Sequence, residues 1–295
     1  MNWNPTQEQM SMITGASDLH IAPPTRVLYG MDDLKYRDAC GVSQSFLKSM
    51  HPTPAHACAF FQKKDASHFR VGRMVHHAIL NPSEPFPDIT CYPETYVDEK
   101  GVEKAWHRGV KSCKLWEQDQ ILKGKTVLSR DEFQEIHGCV NSLAINQTAC
   151  GLLSQGYSEV SLFKRFDING TSFIGKARID WVPSGGSALV DVKTVRRGEG
   201  TTESFSKCVK FDGYGFQAAY YLQLWNACNP DEYRDEFVWI VVEKEAPFAV
   251  SFFYIDCDQV ASFRNSVQQR IEIFADCIRE GVFQGDKNEI QKLIV

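Results

Sequence analysis

Residues 175–194 read Gly-Lys-Ala-Arg-Ile-Asp-Trp-Val-Pro-Ser-Gly-Gly-Ser-Ala-Leu-Val-Asp-Val-Lys-Thr, with Gly185 and Gly186 at the centre. A Gly-Gly pair between two runs rich in β-branched and aromatic residues predicts a two-residue hairpin turn. Asp180 and Asp191 each stand five residues from that pair, so they face one another across the hairpin. Directly opposed residues hold their Cβ atoms about 4.5–5.5 Å apart, and like charges placed so destabilise the pairing. A cation must compensate, either a metal or Lys193, which lies two residues beyond Asp191 and emerges on its face. Ile179, Val190 and Val192 take the other face and enter the core, and Arg178 is placed on the side away from Asp180. Two carboxylates and a lysine suit a hard cation such as Mg²⁺, which binds through one or two carboxylates, waters and phosphate oxygens. A surface hairpin in which Lys193 merely bridges an aspartate is the competing reading.

Strand-like runs surround this hairpin at Glu159–Phe166, Ser172–Val182, Ala188–Val195, Glu236–Glu243 and Phe248–Asp256. Helical stretches are predicted at Tyr214–Ala227 and Gln259–Arg279, and earlier at Ser43–Met50 and Phe69–Leu80. Ser129 and Glu132 form a capping box that starts a helix running to about Asn146. Residues 82–98 hold four prolines and read as loop or edge. The class is α/β (α+β), with a central mixed β-sheet flanked by helices. Residues 1–40 look like an irregular arm, and 41–295 like one domain: a helical part over 41–150, a sheet core over 151–256 and a C-terminal helix over 257–295.

The 295 residues are 43% hydrophobic and carry 32 basic against 37 acidic side chains, a net charge of −5. That balance supports a sizeable core and excludes nucleic-acid coating through bulk charge, so any phosphate binding is local. Between Lys100 and Lys125 seven basic residues meet three acidic ones, with Trp106 and Trp116 interleaved; a solvated face and a nucleic-acid contact both fit. Ten cysteines without a C-x-x-C pair argue against zinc knuckles and iron–sulfur cradles. No Walker-type G-x-x-x-x-G-K-[ST] encodes a motor. No apolar run approaches the roughly 18 residues of a membrane span, and no leader is visible, so a cytoplasmic protein is expected.

Ile179-Asp180 followed by Asp191-Val192-Lys193 resembles the PD-(D/E)xK nuclease motif, with Ile in place of the usual Pro. Val71-Gly-Arg-Met-Val-His76 with Ala78-Ile-Leu-Asn-Pro82 resembles the "GRxxH…L.P" helix of the exonuclease VIII (RecE-like) group, and Glu159-Val-Ser161-Leu-Phe163 its "ExSxF" strand. Gln217-Ala-Ala-Tyr-Tyr221 resembles the QxxxY helix shared with RecB-type nuclease domains, and Ser43-Gln-Ser45-Phe-Leu-Lys48 also fits. These blocks run in the family's order from about residue 41 to 225.

The resemblance implies a restriction-endonuclease-like core with N-terminal helical additions. It implies that His76, Asp180, Asp191 and the backbone carbonyl of Val192 hold Mg²⁺, with Mn²⁺ as a substitute; His77 adjoins His76 and keeps the choice of ligand open. Lys193 is the catalytic lysine it implies, with Glu159 near the metals holding water. Gln217 and Tyr221 then position the DNA end or the lysine. Ser43, Ser45, Arg178, Arg196 and Arg197 are further candidates for DNA phosphates, although Ser43 also suits a helix cap. The implied activity is an exonuclease on linear double-stranded DNA, acting 5′→3′ to leave 3′ overhangs for recombination in a phage or prophage setting. A ring-shaped homo-oligomer and a single-strand annealing protein are the implied partners. Lys100–Lys125, Arg196, Arg197, Lys207 and Lys210 are candidates to line the channel. An endonuclease on the same core, a binding module without catalysis and a structural domain are the rivals.

Overall fold

Pro and Gly residues in the first forty positions suggest irregularity, but the described part of this stretch holds two helices and a strand, and Pro23 and Pro24 lie outside the described residues. The computed structural model describes residues 1–15, 25–62, 68–84 and 86–286. Thr6 and Gln9 close a capping box on helix α1 (Gln7–Thr14), and Gly15 ends it in the left-handed conformation, φ 65°. Strand β1 (Thr25–Leu28) and helix α2 (Asp33–Asp38, capped by Asp32) follow. The expectation of an irregular arm over 1–40 is therefore corrected. These elements are short, and β1 finds its partner at Ser161–Lys164, too far along the chain for local pattern to reveal.

Next come β2 (Val42–Ser43), α3 (Gln44–Ser49), whose N–H of Phe46 donates to Ser43 Oγ, and α4 (His68–Leu80). The proline-rich stretch that follows includes β3 (Ile89–Cys91) and β4 (Thr95–Val97), and then β5 (Glu103–Ala105), α5 (Lys111–Leu122) and β6 (Thr126–Leu128). β3 pairs with β6 and β4 with β5 in two small ribbons. The Ser129–Glu132 capping box starts α6 (Arg130–Ile145), followed by α7 (Gln147–Leu152).

The strand-rich half then builds β7 (Gly156–Ile168), β8 (Thr171–Pro183) and β9 (Ala188–Val195). Helices α8 (Thr202–Phe211), which the sequence pattern did not predict, and α9 (Tyr214–Cys228) precede β10 (Glu236–Glu243), β11 (Val250–Ile255) and α10 (Cys257–Glu280). The central sheet runs β1-β7-β8-β9-β10-β11, with β2 added alongside β8. β9 and β10 are parallel, and so are β2 and β8, while the other neighbours are antiparallel, giving a mixed sheet.

Each face of the sheet carries a core. One joins α9, α10 and α3 through Phe46, Trp225, Trp239 and Phe274; the other joins α4 and α6 through Val71, Val75, Leu143, Val190 and Val192. α9 is buried on nearly every side because α3, α8, α10 and the sheet all pack on it. Each large apolar side chain buried this way contributes about 1.5–3 kcal/mol. Among the described residues no helix is long and apolar enough to cross a membrane.

Candidate active site

The edge of β8 is shared by two strands. β2 pairs with it at Gly175 and Lys176, while β9 pairs with it where Trp181 faces Val190. Trp181 and Val190 each lie four residues from the Gly185–Gly186 turn, so the register is the one the turn predicts. Asp180 stands where β8 and β9 part, and its Oδ2 accepts the N–H of Val192 at 2.8 Å, in place of a ladder bond. Side-chain alternation changes phase here: Ile179 packs into the core beneath α9, whereas Trp181 packs on the α4 and α6 side. The expectation that Ile179 shares a face with Val190 and Val192 is corrected accordingly, since only the two valines point toward α4 and α6.

Asp191 is 1% exposed. Gln217 Nε2 donates to its Oδ1 at 2.9 Å, and the Lys193 ammonium pairs with Oδ2. No well-directed hydrogen bond reaches that buried Oδ2 among the described residues. Burial pushes the Asp191 carboxyl up to about 6, the Asp180 charge adds to the rise, and Lys193 and His76 oppose it. Burial pulls Lys193 down, but the Asp191 and Asp180 charges outweigh it and hold the ammonium above the ordinary lysine range. The Tyr214 ring lies 5.3 Å from that ammonium and favours its charge.

His76 reaches the site because α4 lies close against β9. A Cβ at Gly72 would stand 3.2 Å from Thr194 Oγ1, and His76 is one turn further along the same face. His76 Nδ1 lies 3.6 Å from Asp180 Oδ2, while His77 Nδ1 turns to Glu84 at 3.8 Å. Of the two adjacent histidines, His76 is the one that faces the carboxylates.

Glu159 completes the row: its neighbours Ser158 and Val160 face Trp181 and Ile179, which sets Glu159 opposite Asp180. Its backbone is left-handed, φ 48°, a conformation costing a non-glycine residue roughly 1–2 kcal/mol. Arg178 Nη2 donates to its Oε2 at 2.5 Å. Arg178 thus lies on the same side as the Glu159 carboxylate, one of the group it was expected to point away from.

The other candidates divide. Gln217 and Tyr221 are both buried, and Gln217 is spent on Asp191, so neither stands open to solvent. Ser43 is spent as the cap of α3, and Ser45 accepts a hydrogen bond from Gln44. Arg196 lines a cleft of about 710 Å³ beside Lys193; Arg197, Lys207 and Lys210 are not among its lining residues. In the 100–125 segment, Lys104, Arg108, Lys123 and Lys125 pair with Asp98, Glu117, Asp119 and Asp88, and Trp106 stacks edge-on against Trp116 at 5.2 Å. Much of that positive charge is neutralised locally.

The same cleft shows what sequence reasoning missed. Lys48, Arg73 and Lys244 join Lys193 and Arg196 along it, against a single acid, Glu199. Arg73 lies within the Gly-Arg-x-x-His block and Lys48 one turn after Gln44, so both carried a signal; Lys244 carried none. A second cleft of about 430 Å³, lined by Glu159, Arg178 and Asn81, opens beyond His76, which borders both.

Among the described residues no three His, Cys, Asp or Glu side chains form a metal-binding group. The donors nevertheless fit a hard divalent cation, which takes few protein ligands and fills its shell with water and substrate oxygens. The buried Asp191 Oδ2, whose partner among the described residues is the Lys193 ammonium, is the atom such a cation would share with it.

A Eubacterium rectale protein whose description proposes an exonuclease has a similar structure, with a TM-score of 0.54, 13% identity, and coverage of 86% of this chain and 90% of that one. That likeness is one of fold. A phage-related exonuclease from Haemophilus somnus 129PT (TM-score 0.29, 11% identity, 69% and 93% covered) and an alkaline exonuclease from Laribacter hongkongensis (0.24, 13%, 58% and 87%) superpose too loosely to carry an argument. We find no match among curated proteins. Residues 43–291, spanning the hairpin, the α4 histidine and the α9 glutamine, match the family described as the PDDEXK-like domain of unknown function (DUF3799), and the chain belongs to that family.

Proposed function

We propose that the protein is a metal-dependent exodeoxyribonuclease that hydrolyses linear double-stranded DNA, 5′→3′, leaving 3′ overhangs. The observation that carries this reading is that Lys193, paired with Asp191, and His76, beside Asp180, line a cleft whose five basic side chains include Lys193 itself, in a chain of net charge −5. Positive charge concentrated there draws phosphates in, while the rest of the surface repels them. The Eubacterium rectale protein of similar fold carries a description that proposes an exonuclease, which agrees with this reading.

Asp180, Asp191, the Val192 carbonyl and His76 would hold a divalent ion such as Mg²⁺ or Mn²⁺. When bound, that ion neutralises charge on the phosphate and acidifies water. Lys193 stays protonated beside Asp191, so it donates a hydrogen bond to a phosphate oxygen or the entering water. Glu159 holds that water and accepts its proton. Water oxygen bonds to phosphorus, the bond from phosphorus to the 3′ oxygen breaks, that oxygen takes a proton from solvent water to become a 3′-hydroxyl, and a 5′-phosphorylated nucleotide leaves. Gln217 keeps Asp191 oriented, with Tyr221 buried one turn along the same helix. A homo-oligomeric ring would close the basic cleft around DNA, and a single-strand annealing protein would take the overhang.

The test is a linear duplex labelled at its 5′ ends and a closed circle, each incubated with Mg²⁺ or EDTA, using wild type and Asp191→Ala. Metal-dependent release from linear DNA alone, lost in the variant, is the expected outcome. Cutting of the circle would make it an endonuclease. No cleavage by a folded, DNA-binding protein would leave a binding module.

A further inference from the structure

Three non-glycine residues among those described have left-handed backbones, and Asn169 and Phe248 stand in strand connections. Glu159 alone lies within a strand. Such strain persists only where the surroundings enforce it. Arg178 Nη2 and Asn81 Nδ2 both donate to Glu159 Oε2, at 2.5 and 3.3 Å, and Ser158 Oγ donates to Asn81 Oδ1 at 3.1 Å. Asn81 is tied to α4 by its N–H, which donates to the carbonyl of His77. Arg178 is 12% exposed, and its buried Nε and Nη1 reach no acceptor among the described residues. Both fork edges of a guanidinium include Nη2, so an oxyanion that takes Arg178 in fork geometry from the cleft it lines competes with Glu159 for that donor.

Glu159 faces Asp180 in the sheet, yet its carboxylate is turned to Arg178 and Asn81. Three carboxylates converging with Lys193 as the single ammonium between them would repel one another. Resting on the nuclease reading above, the geometry points to a latch: Arg178 and Asn81 are positioning residues that hold Glu159 off the Asp180–Asp191 pair until a phosphate group takes Arg178 Nη2 in place of the Glu159 carboxylate. Substrate entry in the second cleft then delivers the third carboxylate, coupling phosphate recognition to completion of the site.

Binding of Mg²⁺ to the DNA-free, full-length protein, followed by calorimetry, tests this without recourse to activity. Arg178→Gln should bind Mg²⁺ about fivefold more tightly than wild type, within the usual range of coupling between sites. Asn81→Ala should do so about twofold, and it carries the test if Arg178→Gln fails to fold. The gain should vanish when Arg178→Gln is made in an Glu159→Gln background. A gain that survives there would reflect lost positive charge alone and overturn the latch, as would wild-type affinity in folded Arg178→Gln and Asn81→Ala. Inorganic phosphate should bind metal-free Glu159→Gln more tightly than wild type; equal binding would also overturn it. Absence of Mg²⁺ binding in wild type and every variant would instead remove the metal site on which the nuclease reading depends.

Discussion

Asp191 combines near-complete burial with an ion pair to Lys193, and its raised carboxyl sets a pH window. A group with its folded pKa above the unfolded value binds more protons when folded, so raising pH from about 4 to 6 costs the metal-free protein stability. A divalent ion needs the carboxylate ionised, so the sign reverses for binding. The rise in melting temperature produced by Mg²⁺ should be small at pH 5, grow through pH 6 and level off near pH 8; a pH-independent shift would place the ion elsewhere. Gln217→Leu leaves Asp191 Oδ1 without its donor, at a cost of about 1–3 kcal/mol. It should raise the Mg²⁺ concentration for half-maximal activity about tenfold in a folded protein, as circular dichroism and a metal titration would check. Neither effect is readable from spacing alone, because depth of burial is a property of the assembled sheet and α9.

At the scale of elements, helix α4 is held at its height by a missing side chain. The ideal Cβ at Gly72 meets Thr194 Oγ1 at 3.2 Å, so Gly72→Ala must lift α4 or shift Thr194, and His76 moves with the helix. Gly72→Ala should lower nuclease turnover about tenfold, since small displacements of positioned groups are costly. Adding Thr194→Ala, which removes the obstructing hydroxyl, should restore most of it; a strictly additive loss would refute the steric account. The hairpin shows how far local reading goes. Gly185-Gly186 predicts the register that pairs Trp181 with Val190, but not the parting of the strands beside Asp180. β2, whose pairing with β8 comes from more than a hundred residues earlier, occupies the far end of that edge.

For the whole molecule, the decisive quantity is where positive charge collects. Lys48→Glu with Arg196→Glu should raise the KM for linear DNA and flatten its salt dependence while changing kcat less, because each phosphate contact contributes about one unit of the salt slope. Lys104→Glu with Lys123→Glu, residues already paired with Asp98 and Asp119, should leave binding nearly unchanged; steady-state kinetics at several salt concentrations separates the two pairs. The strand and helix succession of the second half apart from α8, the hairpin register and the placing of Asp180, Asp191 and Lys193 about it were legible in sequence, because period-two patterning, turn chemistry and capping act over a few residues, whereas His76 and Gln217 were reached only through family motifs. The strands and helices of the first forty residues, the same-side position of Arg178 with Glu159, and the joining of Lys48, Arg73, Arg196 and Lys244 in one cleft were settled only by the tertiary structure. Those groups come from separate segments, and their meeting depends on how helices pack across a twisted sheet, which no local pattern encodes.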